Sequence, residues 1–399
     1  MKWVPHPFAS FLAKGWEATN ATASFHRSNQ TMKLRLLIPF LLAACMQLAA
    51  QETPVQNTPA QDAPPPEPMH DFRYSVALID DATLYSNLQV PIPKVLNQLL
   101  LEPSFTFRYR QRWTLASSLV GLADTNTDTY TQLRVKEAYA GLSAGDFDFM
   151  AGRRIVRWGT GYAFTATGVL DPPRIPTNPT DRLNLNQGRD MVKADYVRGP
   201  NAFTLAWSTA ALAPASANLH DTTAFRYNVL VHGFDTSLIA GNDRGGDAFG
   251  GLTFTRVIGE ALEIHGEAAW REHDAVLMGA KYTTTSGITF LGEFYTPPNI
   301  PYYQDVTLYP LNGRQHYAFF TAYKNRLREL PGWKQWDLSA AAVANLNDRS
   351  YAAILDANRR FGNHFSSYLH MEIPVGSPKS EYGSTPYSAA TSVGVRFQL

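Results

Sequence analysis

A two-residue hydrophobic period recurs from residue 72 to the end of the chain, and no other feature limits the possible folds as sharply. Phe72, Tyr74, Val76 and Leu78 share one face, opposite Arg73, Ser75 and Ala77. Phe105, Phe107 and Tyr109 oppose Thr106, Arg108 and Arg110; Phe225, Tyr227, Val229 and Val231 oppose Arg226, Asn228 and His232. Leu262, Ile264 and Trp270 oppose Glu263, His265 and Glu267, and Phe365, Leu369, Met371 and Ile373 oppose Ser366, Tyr368, His370 and Glu372. Strict alternation of this kind predicts half-buried β-strands. Segments begin near residues 71, 103, 112, 131, 147, 190, 201, 223, 234, 247, 261, 275, 288, 315, 336, 350, 364 and 387.

A soluble sandwich would show the same alternation, so the connections have to decide. Those after even-numbered segments are tight, at 144–146, 199–201, 233–234, 259–260, 286–287 and 362–363. Those after odd-numbered segments are longer and polar, at 81–100, 124–130, 158–189, 211–222, 298–314 and 374–386. Short turns at one rim and long loops at the other are the pattern of an outer-membrane barrel. The expected fold is therefore all-β, a transmembrane antiparallel up-and-down β-barrel over residues 71–399. It should have about 18 strands, or 16, with both termini on the periplasmic side. The link 326–335 breaks the pattern, being long where a short turn belongs, and it is what keeps 16 open.

Both ends of the sequence agree with that expectation. Tyr387, Ala389, Thr391, Val393, Val395, Phe397 and Leu399 form a last amphipathic strand resembling the terminal strand by which outer-membrane proteins are recognised for assembly. Met32, Lys33, Leu34 and Arg35 form a short basic stretch before the apolar run 36–44, which together read as a secretory signal peptide over 32–50. Residues 1–31 are then a misassigned extension. Two cleavage sites compete: a lipobox-like LAAC ending at Cys45, which would be lipidated, and ordinary cleavage after Ala50. Residues 51–70 are rich in Pro and Gln and read as a disordered periplasmic lead-in.

Composition removes other classes. The net charge of +1, with 17% charged residues, offers no basic surface for nucleic acid. The mean hydropathy of −0.23 excludes a bundle of membrane helices, and one cysteine excludes an intrachain disulfide framework. The sequence contains no GxSxG, HExxH or CxxC, and its histidines fall on separate strands. No enzyme activity, cofactor or metal is expected.

If the apolar faces meet lipid, the polar faces line a lumen. The early segments would contribute Arg73, Arg108, Arg110, Arg134, Lys136 and Lys193, with Arg396 from the last strand beside the first. Later segments would contribute Glu263, His265, Glu267 and Glu293, together with Asp356, Glu372 and Lys281. A cationic wall facing a carboxylate-richer one would set a transverse field across the water, a selective device in pores. Pairing of these charges in a plugged lumen is the alternative. Some charges fit poorly: Glu137 shares a face with Val135 and Tyr139, and strict alternation sends Arg153 and Arg157 to lipid unless a bulge at Gly152 sends Arg154 there instead. Arg256 and Arg359 also fall on apolar faces, near strand ends where they can snorkel.

The longest excursion, within 152–190, carries Pro172, Pro173, Pro176 and Pro179 and sparse charges. It is the third loop of the long-loop rim, where general porins place their constriction. Trp158, Tyr162, Asp171, Arg174, Asp181 and Arg182 are the candidate constriction residues, with girdle aromatics as the bland alternative for Trp158, Tyr162 and Phe164. GRRIVRWG at 152–159, then DPP at 171–173 and NPTD at 178–181, resembles a porin-like outer-membrane family of unknown function. That family carries GRQ-x-x-x-WG before a Pro/Asp-rich stretch; here Arg154 replaces the Gln. The resemblance implies a bacterial outer-membrane barrel; the size of that barrel, with its lumen charges and the 160–189 loop as a constriction, gives the expectation of a passive or weakly selective channel for small hydrophilic solutes. Partners would be lipid and lipopolysaccharide, and the barrel-assembly machinery during biogenesis. A non-conducting barrel with a structural, assembly or transport-accessory role is the competing expectation.

Overall fold

The computed structural model describes residues 69–399, apart from 91–92, 125–130, 180, 211–220, 244–247, 271–273, 298–314 and 328–332. The signal peptide and lead-in expected at 32–70, with Cys45, lie almost wholly outside the described residues. Eighteen strands form one sheet among the described residues. They are β1 His70–Ser86, β2 Val95–Tyr109, β3 Trp113–Asp124, β4 Thr131–Ala144, β5 Phe147–Arg154 and β6 Arg189–Arg198. Next come β7 Asn201–Thr209, β8 Thr222–Val231, β9 Phe234–Asp243, β10 Ala248–Ile258, β11 Leu262–Trp270 and β12 Asp274–Thr283. The last are β13 Ile288–Thr296, β14 Tyr317–Lys324, β15 Trp336–Asn345, β16 Ser350–Phe361, β17 Phe365–Val375 and β18 Ala389–Gln398.

Each strand runs antiparallel to its chain neighbours, and β1 pairs with β18 from Ala77 opposite Gln398 to Ser86 opposite Ala389. The barrel is thus closed and has no free edge, the condition for a sheet to cross hydrocarbon. This settles the count at eighteen. The 326–335 exception is real: β14 and β15 are joined by the long link 325–335 on the short-turn rim.

The two faces of the sheet differ sharply. Outside, Leu115, Leu133, Val192, Leu205, Trp207, Met278, Phe320, Leu355, Val393 and Val395 are all exposed. Moving such a side chain from water into lipid is worth about 1.5–3 kcal/mol. At the short-turn rim the outer aromatics stack across strands: Phe72 with Phe105, then Phe147, Tyr196, Phe203 and Tyr227 in series, then Phe290 with Phe320 and Phe365 with Phe397. This is the aromatic girdle of a membrane interface. Arg256 lies over Phe234, and Arg359 over Trp336 and Phe361. The tight turns of this rim use glycine in the left-handed region, as at Gly145 (φ 62°) and Gly233 (φ 78°).

The inner face is not uniformly polar. Ile79, Leu100, Val120 and Leu122 are buried there, as are Ala206, Ala224, Ile239 and Phe249, and Leu277, Leu291, Tyr317, Phe319, Val343 and Ile354. These patches explain one misplaced boundary. The loop expected over 81–100 is only 87–94, because β1 continues to Ser86 and β2 begins at Val95. In β2, Leu96 and Leu100 are buried inside while Leu101 is exposed outside. Apolar residues on both faces erase the alternation without ending the strand.

Register also resolves the misfit charges. A β-bulge lies at Ser118/Leu119, where Ser118 pairs with Glu137 and Leu119 with Val135. Lys136 is the extra residue, so Lys136 and Glu137 both reach the inner side. The pairing of β5 with β4 and β6 continues unbroken through Gly152, so Arg153 stays on the outer face opposite Asp190. There it forms a two-pronged pair with Asp190, at 3.0 and 2.5 Å, and donates to the Val135 carbonyl beside the bulge at 3.2 Å. Gly152 itself has φ 125°, and a Cβ would lie 2.3 Å from the Ala138 carbonyl oxygen.

Charge placed at two depths of the outer face tests this orientation. Leu205→Arg, at mid-strand, should destabilise the barrel by about 2–4 kcal/mol, and Val231→Arg, at the rim, by about 0–1 kcal/mol. Urea unfolding in lipid vesicles gives both values; equal costs would mean that the exposed apolar face does not meet the membrane.

Candidate functional site: the inward loop

The segment 155–188 between β5 and β6 folds into the lumen, and the buried carboxylates of the inner wall explain how. Lacking a β-ladder, its amides need other acceptors. Glu267 of β11 accepts from the Gly161 amide at 2.7 Å through one oxygen. Its other oxygen takes the amides of Ala166 and Thr167 at 2.7 and 2.8 Å, and the Thr167 hydroxyl at 2.9 Å. Glu293 of β13 accepts from the amides of Tyr162 at 2.5 Å and Ala163 at 2.8 Å, and contacts His265 Nε2 at 3.0 Å. Backbone N–H groups converging on a carboxylate are charge-assisted bonds, each worth about 1.5–3 kcal/mol.

Apolar contacts complete the docking. Phe164 packs fully buried against the β12–β16 wall, stacked on Tyr295 at 5.0 Å. Trp158 and Leu170 cover Ala206, Ala224, Ile239 and Phe249, while Leu183 covers Ile79, Leu100, Val120 and Leu122. The loop therefore touches walls contributed by β1–β3, β7–β10 and β12–β16.

Within the loop, Asp171 is buried and folds the turn around itself. It accepts from the Trp158 amide at 2.6 Å and from Arg174 at 3.2 Å, and Arg174 also donates to the Gly159 carbonyl at 3.0 Å. Burial pushes the Asp171 carboxyl above its ordinary range, against the pull of the Trp158 amide and the Arg174 guanidinium. Asp181 caps the next turn by accepting from the amides of Leu185 and Asn186, both at 2.9 Å. Arg182 reaches Asp81 of β1 at 2.8 Å, and Tyr368 donates to the same Asp81 oxygen at 2.7 Å. Tyr162 keeps its ring partly exposed, donating its hydroxyl to Glu263 at 2.9 Å and accepting from Lys281 at 2.8 Å. Burial raises the Tyr162 hydroxyl's pKa.

The constriction candidates are thus together inside the lumen, and the girdle alternative for Trp158, Tyr162 and Phe164 fails. The wall candidates divide. Glu267, Glu293 and His265 face inward but are buried beneath the loop, so they act as anchors and do not form an open wall. Glu263 is partly exposed beside them. Lys136 is buried in an ion pair with Glu102 at 3.0 Å. Lys193 pairs with Asp195, Arg134 donates to Gln132 at 2.6 Å, and Arg396 donates to the Arg182 carbonyl at 3.0 Å. Arg73, highly exposed, pairs with Asp71 at 2.8 Å, and Arg108 is exposed opposite Asp71 at the short-turn rim. Arg110 leaves the wall altogether: it sits in the β2–β3 turn with φ 48°, over the Tyr109 ring. The expected field between two bare walls is therefore not present; most of its carboxylates are consumed in holding protein.

Three features escaped the sequence reading. One is Glu102, which bonds Ser118, Lys136 and Asn184 from a run that reads as loop. Another is a shallow cleft, open to solvent, where Arg157, Asn178 and Asn186 join Tyr162 and Arg174. The third is a second inward segment, 376–388, whose Tyr382 packs into the same cluster as Phe164 and whose Tyr387 donates to Glu372 at 3.1 Å. Its Glu381 is buried, accepting from Asn345 at 2.7 Å, while its amide donates to Asp348 at 2.6 Å.

No protein-family model matches the chain, and no curated protein matches it in sequence. Solved structures do. The outer-membrane protein OpdK from Pseudomonas aeruginosa is similar with a TM-score of 0.57 at 8% identity, over 82% of this chain and 98% of that one. OccK5 (OpdH) of the same organism gives 0.55 at 10% identity, over 82% and 98%, and OprD gives 0.56 at 10%, over 82% and 95%. At these identities the likeness establishes the fold, that of an outer-membrane barrel such as OpdK.

Two outcomes follow from the anchors. Glu267→Ala should raise hydrogen exchange of the 160–168 amides by about 10–100-fold, the equivalent of about 1.5–3 kcal/mol, while strand amides stay protected. In the second segment, burial raises the Glu381 carboxyl from 4.5 to about 7. Its folded pKa lies above the unfolded one, so this stabilisation is complete below 4.5 and lost as pH rises through about 7. Amides of 380–387 should therefore be better protected at acidic than at alkaline pH after correction for intrinsic exchange, and Glu381→Gln should abolish the difference.

Proposed function

We propose that the chain is a porin-like channel of a bacterial outer membrane, passing small hydrophilic solutes past the inward 155–188 segment. The placement of that segment carries the reading: a closed barrel with an apolar exterior holds a long loop in its lumen on specific anchors. The barrel's likeness to OpdK supports the same reading, since a tight lumen filled only by wall side chains would need no such loop. A non-enzymatic role is part of it. In this arrangement the short-turn rim faces the periplasm, residues 32–50 direct export, and residues 51–70 lead into β1. The resemblance of 152–181 to the porin-like family of unknown function belongs with these.

Charge gives the channel a weak preference. Glu267, Glu293, Asp81 and Glu102 are bonded by loop or wall groups. By contrast Arg157 is exposed at the cleft with no ion pair among the described residues, and Arg154 meets the Tyr139 ring at 4.7 Å. Cations left facing water attract anions into a narrow passage. A second reading, a non-conducting barrel with a structural or transport-accessory role, is favoured by how much of the lumen side is packed, with Phe164 and Tyr317 at 0% exposure.

Planar-bilayer recording separates the two. Stepwise conductance is expected, with a reversal potential in a salt gradient that favours anions and moves toward zero in Arg157→Gln. Glu293→Ala should enlarge the step by releasing the loop. Folded protein that gives no steps would sink the channel reading and leave the second.

A further inference from the structure

The second inward segment, 376–388, is bonded within itself as one piece. The Ser380 amide donates to the Ser377 carbonyl at 2.9 Å and the Ser384 amide to the Ser380 carbonyl at 3.0 Å. The Thr385 hydroxyl donates to the Tyr382 carbonyl at 2.8 Å. Gly383 sits so tightly in the fold that a Cβ would lie 2.1 Å from the Ser377 carbonyl oxygen. These bonds would survive movement of the segment as a unit. It is tied to β15, β16 and the turn between them at Glu381 and Tyr382. Asn345 donates to Glu381 Oε2 at 2.7 Å, the Glu381 amide donates to Asp348 Oδ2 at 2.6 Å, and the Tyr382 amide donates to Ser350 Oγ at 3.2 Å.

This seat suits a neutral carboxyl and not an ionised one. Glu381 is 2% exposed, and its buried Oε1 has no hydrogen-bond partner. Among the described residues, the titratable groups facing it are Tyr317 of β14, Asp348 of the β15–β16 turn and Tyr382 beside it, with Glu372 of β17 beyond Tyr382. None is a cation. Lys379 and Arg349, the cations nearest in sequence, are exposed, and neither pairs with it among the described residues. Glu267 and Glu293 differ, each having several N–H groups converging on it. An ionised carboxylate buried without a cation or a full set of donors is strongly disfavoured. Burial accordingly lifts the Glu381 carboxyl from 4.5 to about 7. The wall behind the seat is shared: Tyr317 and Tyr382 belong to the cluster that buries Phe164, and the Tyr317 ring lies 5.9 Å from the Phe164 ring.

We propose that residues 376–388 are a proton-controlled latch on the lumen, seated against β14–β16 while Glu381 is protonated and released toward water when it ionises. The proton binds the seated form better than the released one, and that difference is what moves the equilibrium. Release also removes Tyr382 from the cluster that holds Phe164, and so loosens the 155–188 segment. That release widens the passage rests on the channel reading; the latch itself requires only the barrel.

Thiol labelling of the full chain in lipid vesicles tests it, in a Cys45→Ala background. Ser384→Cys places a thiol at a buried position of the segment, and Ser377→Cys at an exposed one that corrects for thiol ionisation. With the carboxyl at about 7 when seated and 4.5 when released, the release equilibrium shifts by about 30-fold between pH 5.5 and pH 8.5. Labelling of Ser384→Cys relative to Ser377→Cys should rise by about that factor, and adding Glu381→Gln should remove the rise. Heat-modifiable electrophoretic migration reports folding for each variant. Labelling of folded protein that does not change with pH would overturn the latch, as would a rise that persists with Glu381→Gln. Planar-bilayer steps should be larger at pH 8.5 than at pH 5.5 in wild type, and stay at the smaller value in Glu381→Gln. Steps equal at both pH values despite pH-dependent labelling would overturn its control of the passage. Absence of steps at either pH, with pH-dependent labelling intact, refutes the channel and not the latch.

Discussion

A backbone that leaves the sheet and enters the barrel must find acceptors for its amides, and in this protein two carboxylates supply them. Glu267 and Glu293 point inward from β11 and β13, on either side of β12, and between them hold the amides of residues 161–163 and 166–167. Burying two carboxylates costs several kcal/mol each unless each is fully bonded. The converging N–H groups meet that requirement, and the same bonds satisfy the loop's own donors. Each side of the exchange solves the other's problem. The path of the loop, the cover over the inner apolar patches and the position of the cleft at Arg157 all follow from where those two side chains stand.

The inner apolar patches gain their meaning from this anchoring. A water-filled lumen lined by Leu100, Leu122, Ile239, Leu277 and Phe319 would expose hydrophobic surface at about 25 cal/mol per Å². Leu183, Trp158, Leu170 and Phe164 remove that surface from water. Carboxylate anchors fix direction while apolar contacts supply bulk affinity, a division also seen where Arg182 meets Asp81 beside the Leu183 cluster. The second inward segment repeats it, with Glu381 bonded to Asn345 and Tyr382 buried alongside. Two inward segments share the lumen, and both use a buried acid next to a buried aromatic.

Much of the barrel was legible in the sequence because strands with one face in lipid and one in water must alternate. Seventeen of the starts read from alternation fall within two residues of the observed ones. The failure at β2 is instructive. There Leu100 lies under Leu183 and Leu96 packs with Tyr85, Leu88 and Tyr387, so the water-facing requirement disappears and the pattern with it. The candidate site was legible only by residue. Glu267 and Glu293 stand out on polar faces, yet alternation reports that a side chain points inward and not what lies over it. Glu137 was unreadable for another reason: one extra residue at Lys136 reverses every subsequent face, and a bulge leaves no compositional mark.

The bulge and the outer-face pair at Arg153 are parts of one adjustment. By inserting Lys136, β4 turns both Lys136 and Glu137 inward, where they bond Glu102 and the Ile155 amide and so fix where the loop departs and returns. The Val135 carbonyl lies beside the insertion, within reach of the outer-face Arg153. An unsatisfied carbonyl in hydrocarbon costs several kcal/mol. Arg153 donates to that oxygen, and Asp190, directly across the β5–β6 register, neutralises Arg153. Polar residues at this outer position thus accompany the inner arrangement. The first residues of the GRRIVRWG stretch hold the sheet around the bulge, and its last ones begin the path into the lumen.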